Sequence, residues 1–376
     1  MTIATILVPV LLGIRAELHS VHVSRVSADR AGVYAADGKL AKEATIRVRA
    51  ALASTIGHSF DAAWTVRVDL PVGAGPSADL GAAVAALVVL GHCAPPCAPT
   101  VYVGELGLSG NLRPTRDVYA AVYAAAACKV PAIIDASAAN AAASVPGHGV
   151  VWLADELSAV LGYERGTFAL RQLSGRPAAS VPFPPLPDLT AEYAPALAVV
   201  REHLAAGRSV LLRGNPGSGK MMIARRCAHR PIAESDRETV NAIHHAAGLV
   251  GPDSTGVDVR PFRAPHHTVS EAGLLGSPLY SRPGEVSLAH GGVLYLDEVP
   301  EFRRLCLEAV RAARRDGCVR YYRPEVELPA RFGLVGSTNA CPCGYHGTER
   351  CHCAADRIAA YQARIPAGLF DVTIDL

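Results

Sequence analysis

Gly214-Asn215-Pro216-Gly217-Ser218-Gly219-Lys220-Met221 matches all but the last position of the phosphate-binding pattern G-x-x-x-x-G-K-[ST]. In such a loop the glycines let backbone N–H groups curl around phosphate oxygens. The helix that follows points its positive end at them, and Lys220 reaches the β- and γ-phosphates. A Gly-rich turn before a helix is the bland alternative. Against it stand the apolar run Ser209 to Arg213 before the loop and the helical Met221 to Ala228 after it. The last position departs from the pattern, because Met221 has no hydroxyl to ligate Mg²⁺. Downstream, Gly292 to Glu298 is an apolar strand ending in two acids. Asp297 suits a metal held through water, and Glu298 suits the orientation or deprotonation of an attacking water. A third apolar strand, Phe332 to Gly336, ends at Ser337-Thr338-Asn339, and Asn339 is the sensor that meets the γ-phosphate or the lytic water. The cofactors expected of this set are ATP and Mg²⁺.

Other residues invite metal or nucleophile chemistry. Cys341, Cys343, Cys351 and Cys353 form two Cys-x-Cys pairs, and four thiolates can enclose a tetrahedral Zn²⁺ that pins a polar loop. The commoner zinc spacing is Cys-x₂-Cys, so a reduced loop that binds nothing stands beside this reading. Cys93 and Cys97, flanking Pro95-Pro96, belong to that second kind. The pairs His244-His245 and His266-His267 are not expected to share an ion, because adjacent side chains diverge on a helix and alternate faces on a strand. Gly75-Pro76-Ser77 has the form of a nucleophile turn of Ser-Lys peptidases, which need a neutral lysine to accept the serine proton.

These residues need elements to position them, and the chain is long enough for two or three domains at 376 residues. With 36 Lys+Arg against 34 Asp+Glu and a formal net charge of +2, no global field attracts nucleic acid, so contact with a polyanion must be local. The candidates are Arg311, Arg314, Arg315 and Arg320, with Arg303-Arg304. A hydrophobic content of 50% excludes intrinsic disorder, and the 6% of aromatics implies a core of Ala, Val and Leu. Ten Cys are too few for a disulfide scaffold. Met1 to Ile14 reads as a buried strand rather than a signal peptide, and Gly91, His92, Pro95 and Pro96 break the uncharged run Leu80 to Gly104 well short of a membrane span. The expectation is a soluble, cytoplasmic protein with no membrane partner. Six prolines between Ser174 and Pro195 mark an interdomain linker. Before it, strand-like runs alternate with the Ala-rich helical stretches Ala41 to Leu52, Asp79 to Leu90 and Asp117 to Cys128, which predicts an α/β domain. After it comes strand, Gly-rich loop, helix, the start of a parallel-sheet nucleotide fold.

Phe262-Arg263-Ala264-Pro265-His266-His267-Thr268, Arg282 to His290, Leu296 to Phe302 and Cys341-Pro342-Cys343-Gly344-Tyr345 resemble, in that order, the motifs of the Mg-chelatase-like AAA+ family of the competence protein ComM. The N-terminal half is more faintly similar to that family's Lon-protease-like domain, at Val48 to Leu52 and Gly104 to Leu108. The resemblance implies an S5-like α/β domain over 1–173, a proline-rich linker over 174–190, and a P-loop AAA+ α/β/α core over 191–376 that stops before the family's helical lid. It also implies a homo-oligomeric ring, similar to hexameric ATPases, that turns over ATP and remodels DNA in the manner of a branch-migration helicase. His266 and His267 fall in the insert that lies near the pore of such rings. Several family positions are altered. Besides Met221, Val372 stands where the family carries the arginine that reaches a neighbour's γ-phosphate, which leaves Arg331 as the trans-acting candidate. Tyr119 stands where a Ser-Lys peptidase needs its lysine, so the N-terminal domain is expected to be non-catalytic unless Lys129 substitutes. The expected function is an ATP-binding ring ATPase with impaired hydrolysis. A nucleotide-binding scaffold without turnover is the alternative, followed by a metal-chelatase motor subunit or a peptidase.

Overall fold

The computed structural model describes residues 2–27, 32–35, 38–57, 64–70, 73–174, 186, 191–251, 256–277, 282–322 and 325–376. The linker expected over 174–190 falls, apart from Ser174 and Leu186, outside the described residues. The chain forms two compact units, Met1–Ser180 with His244–Gly256, and Val181–Ile243 with Val257–Leu376.

The first unit is built on an eight-stranded mixed sheet in the order Arg171–Gln172, Val151–Ala154, Ala132–Asp135, Thr100–Val103, Thr2–Leu12, Arg15–Ser27, Trp64–Asp69, Gly32–Ala35. Thr2–Leu12 and Arg15–Ser27 pair antiparallel from Leu12 opposite Arg15. Gly13 at φ +66° makes that tight reversal possible without steric cost. The strands Thr2–Leu12, Thr100–Val103, Ala132–Asp135 and Val151–Ala154 run parallel to one another. Between them the chain passes through the helices Asp79–Val89 and Val118–Cys128. Asp79–Val89 is buried at every residue from Asp79 to Leu87, which explains its small side chains. At Gly81 even a Cβ would lie 2.3 Å from Val8 Cγ1, so only glycine lets the helix come this close to the sheet.

The second unit holds a five-stranded sheet in the order Phe262–Arg263, Val293–Leu296, Gly333–Thr338, Val210–Arg213, Val372–Asp375. All four pairings are parallel. A parallel sheet needs cover on its faces, so its central strands are apolar throughout, as Val293–Leu296 and most of Gly333–Thr338 are. The helices Ala194–Ala205 and Lys220–Ala228 supply Leu197, Val200, Ile223 and Ala224 to a core closed by Val210, Leu212, Tyr295 and Val335. The helix Arg304–Asp316 buries Cys306, Leu307, Val310 and Ala313 on one face, which leaves its arginines on the other. Gly317 ends it in the left-handed conformation at φ 67°. Mixed α/β architecture with an AAA+-like core is therefore the fold of this chain.

Candidate functional site

The P-loop leaves Val210–Arg213 at its carboxyl end and enters the helix Lys220–Ala228. Gly217 at φ +86° and Gly219 at φ +78° turn the backbone through conformations that other residues resist. Around Gly217 there is open space. Lys220 Nζ donates to the carbonyls of Gly214 at 2.8 Å and Asn215 at 2.9 Å, which holds the ammonium against the curl of the loop. Burial pulls the Lys220 pKa below the usual lysine value, and the carboxylates of Asp297 and Glu298 oppose that pull. Ser218 Oγ is buried with no hydrogen-bond partner, and an unsatisfied donor in a glycine-lined cradle fits a phosphate oxygen.

Two neighbouring strands complete the site. Val293–Leu296 delivers Asp297 and Glu298, and Gly333–Thr338, which pairs beside both it and the P-loop strand, delivers Asn339. Pro216, Gly217, Ser218, Gly219, Lys220, Met221, Asp297, Glu298 and Asn339 all line one cavity of about 400 Å³. Gly214 and Asn215 form the base of the loop without facing that cavity. Met221 is 46% exposed, so a thioether stands where the pattern puts a metal-binding hydroxyl. The residues present fit a nucleotide's phosphates. For Mg²⁺ the carboxylate oxygens lining the cavity are those of Asp297 and Glu298.

The acids are held by two residues that the motif reading did not single out. Ser337 Oγ donates to Asp297 Oδ1 and accepts the backbone N–H of Glu298 at 3.0 Å. Tyr295 O–H donates to the same Asp297 oxygen at 2.9 Å, which leaves Oδ2 for a ligand. Burial, with the two acids beside it, keeps the Tyr295 phenol protonated well above its ordinary range. Ser337 was visible as a polar residue at a strand tip, but its partnership depends on which strand lies beside it. Glu298 adopts φ +53°, and a non-glycine residue in the left-handed region costs about 1–3 kcal/mol, tolerated where surrounding contacts enforce it.

Arg331 lies elsewhere. It precedes Gly333–Thr338 at the amino edge of the sheet, and six strand residues at ~3.3 Å each put it roughly 20 Å from the Asn339 end. There it lines a second cavity of about 600 Å³ with Arg311, Arg314 and Arg315. Val372 begins its strand at this same edge, donating its N–H to Ser209 O at 3.2 Å, next to an Asp371–Arg314 ion pair at 2.9 Å.

The four clustered cysteines converge. Cys341 Sγ lies 3.3 Å from Cys343 Sγ and 3.7 Å from Cys351 Sγ, and all four sulfurs fall within 4.8 Å of one another. The His266 and His267 rings do not diverge as expected; their centroids are 4.0 Å apart, because the segment after Phe262–Arg263 is a turn rather than a helix or strand. In the first unit Ser77 is fully buried and donates to Asp117 Oδ2 at 2.6 Å. Burial raises the Asp117 pKa, and the bond from Ser77 lowers it. Tyr119 stacks on His245 at 4.6 Å, and burial brings that imidazole's pKa down to about 4. Lys129 caps the far end of the helix Val118–Cys128, roughly 18 Å along it from Asp117, so it is no substitute base for Ser77.

Comparison with known proteins matches this arrangement. The family model for magnesium chelatase, subunit ChlI, covers residues 193–376, the whole five-stranded sheet with both strands that carry the acids and Asn339. The chain belongs to the Mg-chelatase-like ComM family. A second family model, subunit ChlI of Mg-chelatase, covers residues 21–138 of the first unit. The chain is 31% identical over 347 residues to YifB of Salmonella typhimurium, covering 88% of this chain and 66% of that one. It is 35% identical over 291 residues to an uncharacterized protein of Mycobacterium tuberculosis, covering 72% and 55%. With the competence protein ComM of Haemophilus influenzae it shares 31% over 292 residues, covering 73% and 56%. The chain thus spans little more than half the length of most of these ComM-family relatives. Membership agrees with the AAA+-like core described above. Among the described residues no helix is long and apolar enough to cross a membrane.

Proposed function

We propose that this chain binds ATP as a protomer of a homo-oligomeric AAA+ ring that remodels DNA, with hydrolysis impaired by its own sequence. The observation that carries the reading is the meeting of Lys220, Asp297, Glu298 and Asn339 in one cavity whose metal-facing position is Met221. In this reading Gly214 to Gly219 and Lys220 hold the phosphates, Asp297 holds the Mg²⁺ shell, Glu298 orients or deprotonates water, and Asn339 senses the terminal phosphate. Mg²⁺, when bound, neutralises charge on the β- and γ-phosphates. Arg331 acts on a neighbour's nucleotide. The four thiolates hold a structural Zn²⁺. The domain reading is 1–173 Lon-protease-like and non-catalytic, 174–190 linker and 191–376 AAA+ core, in the cytoplasm.

Two features support slow turnover. A methionine sulfur is a poor ligand for Mg²⁺, which takes hard oxygen. Val372 offers no charge to a neighbour's phosphate. Loss of one placed electrostatic contact costs roughly 10² to 10³ in rate. Phosphate contacts from the loop backbone and Lys220 need neither residue, so nucleotide affinity survives. A scaffold without turnover is the second reading, favoured by the same Met221. Calorimetry with ATP and ADP and a phosphate-release assay test both. Binding with slow release, abolished by Glu298→Gln, is expected. Binding with no release favours the scaffold, and the absence of binding refutes both readings.

A further inference from the structure

We propose that Cys341, Cys343, Cys351 and Cys353 bind one zinc ion and that the loop this ion fixes clamps the P-loop in its phosphate-binding shape. Zinc bound tetrahedrally to sulfur at ~2.3 Å requires the sulfurs to sit roughly 3.8 Å from one another. Cys341–Cys351 and Cys343–Cys351 are each at 3.7 Å, Cys341–Cys343 is at 3.3 Å, and the whole set lies within 4.8 Å. These separations are far beyond the ~2.05 Å of a disulfide. Residues 339–354 contain no helix or strand, and His346 to Arg350 are exposed, so little apolar burial holds this loop together. A loop of that kind needs a cross-link to keep one shape, and a metal supplies it.

The clamp follows from what the loop touches. Gly344, at φ +78°, lies so close to Pro216 that a Cβ there would meet Pro216 Cγ at 3.0 Å and Cδ at 3.1 Å. Asn215 Nδ2 donates to His346 O at 3.5 Å. The other end of the loop grows from Asn339, whose carbonyl accepts from Gln362 Nε2 at 2.9 Å. One cross-linked segment therefore joins the base of the P-loop to the sensor residue. Fixing it removes freedom that the P-loop would otherwise lose on taking up phosphate, so zinc and nucleotide favour each other's binding. The nucleotide half of this inference rests on the ATP-binding reading proposed above; the zinc and the clamp stand without it.

The test uses the whole chain, purified without chelator under reducing conditions. Elemental analysis is expected to find about one zinc per chain, and cobalt exchanged into the site to show thiolate-to-metal absorption; absence of stoichiometric metal overturns the site. Hydrogen exchange is then followed over residues 214–220 without nucleotide, before and after zinc is stripped from the wild type, and again in Cys351→Ser/Cys353→Ser. Exchange there is expected to quicken severalfold while the helix Arg304–Asp316 of the same unit is unchanged, which reports that this unit remains folded. Unchanged exchange at 214–220 in zinc-free wild type overturns the clamp. Affinity for a fluorescent ADP is expected to fall about tenfold on zinc removal, within the usual range of couplings between sites. Equal affinity with and without zinc overturns the coupling. Failure of both forms to bind ADP counts against the nucleotide reading, and the exchange measurement still decides the clamp.

Discussion

Met221 and Ser337 carry opposite lessons about single side chains. Met221 is half-exposed at the cavity, so its replacement tests the metal-facing contact at little cost in packing. Met221→Thr restores a hard oxygen, and Mg²⁺-dependent nucleotide affinity is expected to rise about tenfold, the equivalent of roughly 1.4 kcal/mol. Calorimetry with and without Mg²⁺ checks this; an equal gain in the absence of metal would show that the hydroxyl acts otherwise. Ser337, by contrast, is fully buried and serves two acids at once. Ser337→Ala leaves the Glu298 N–H without its acceptor and Asp297 with Tyr295 alone. Such losses cost about 1–3 kcal/mol, to be seen as a lower urea midpoint with unchanged slope.

Strand ends position every group of the candidate site, and the closing edge strand Val372–Asp375 is tied in by Asp371. That carboxylate accepts from Ser209 N–H at 2.7 Å, Ser209 Oγ at 2.8 Å and Arg314 at 2.9 Å. The backbone bond from Ser209, then its hydroxyl and Arg314, hold the Asp371 pKa below the ordinary carboxylate value against the effect of burial. A lowered folded-state pKa gives stability that is present above the unfolded value of ~3.9 and is lost as pH falls through the folded one. Asp371→Asn is therefore expected to unfold more easily than wild type at pH 7, by about 1 kcal/mol because the site is partly exposed and screened. At a pH below both the folded and the unfolded value the two should converge. Urea titrations at both pH values decide it, and a constant difference would assign the effect to something other than charge.

At the scale of the molecule, the sheet separates two chemistries. The acids, Lys220 and Asn339 lie at its carboxyl edge, while Arg331 with Arg311, Arg314 and Arg315 lies at the amino edge, too far to serve the same chain's nucleotide. An arginine so placed acts, if at all, across an interface. On the ring proposed above, Arg331→Ala should leave nucleotide affinity of the dilute chain as it is, and should remove any rise in specific phosphate release as protein concentration increases. A mutant that keeps this concentration dependence would rule Arg331 out as the trans-acting group. Three of these arginines already face carboxylates, Arg311 with Glu308, Arg314 with Asp371 and Arg315 with Asp316, which leaves Arg331 as the cavity's most available charge.

The local shape of each short segment is legible before any fold is known, because loop and strand motifs are local. Glycines at Gly214, Gly217 and Gly219 with a following lysine have the form of a phosphate cradle, and apolar runs ending in Asp297-Glu298 or Asn339 mean strand ends facing solvent or ligand. The helices Ala194–Ala205 and Lys220–Ala228 and the strand Val210–Arg213 were likewise written in apolar spacing and in the glycines beside them. Strand order was not, since a parallel sheet can be permuted without changing the pattern of any strand. Only the tertiary structure set Gly333–Thr338 between the other two site strands and so gave Ser337 its two acids. The same holds for Ser77, whose hydroxyl turned to Asp117 rather than to the position of Tyr119, and for Gly344 against Pro216. Those contacts join residues far apart in the chain. Side-chain geometry after folding decides them, and no spacing records it.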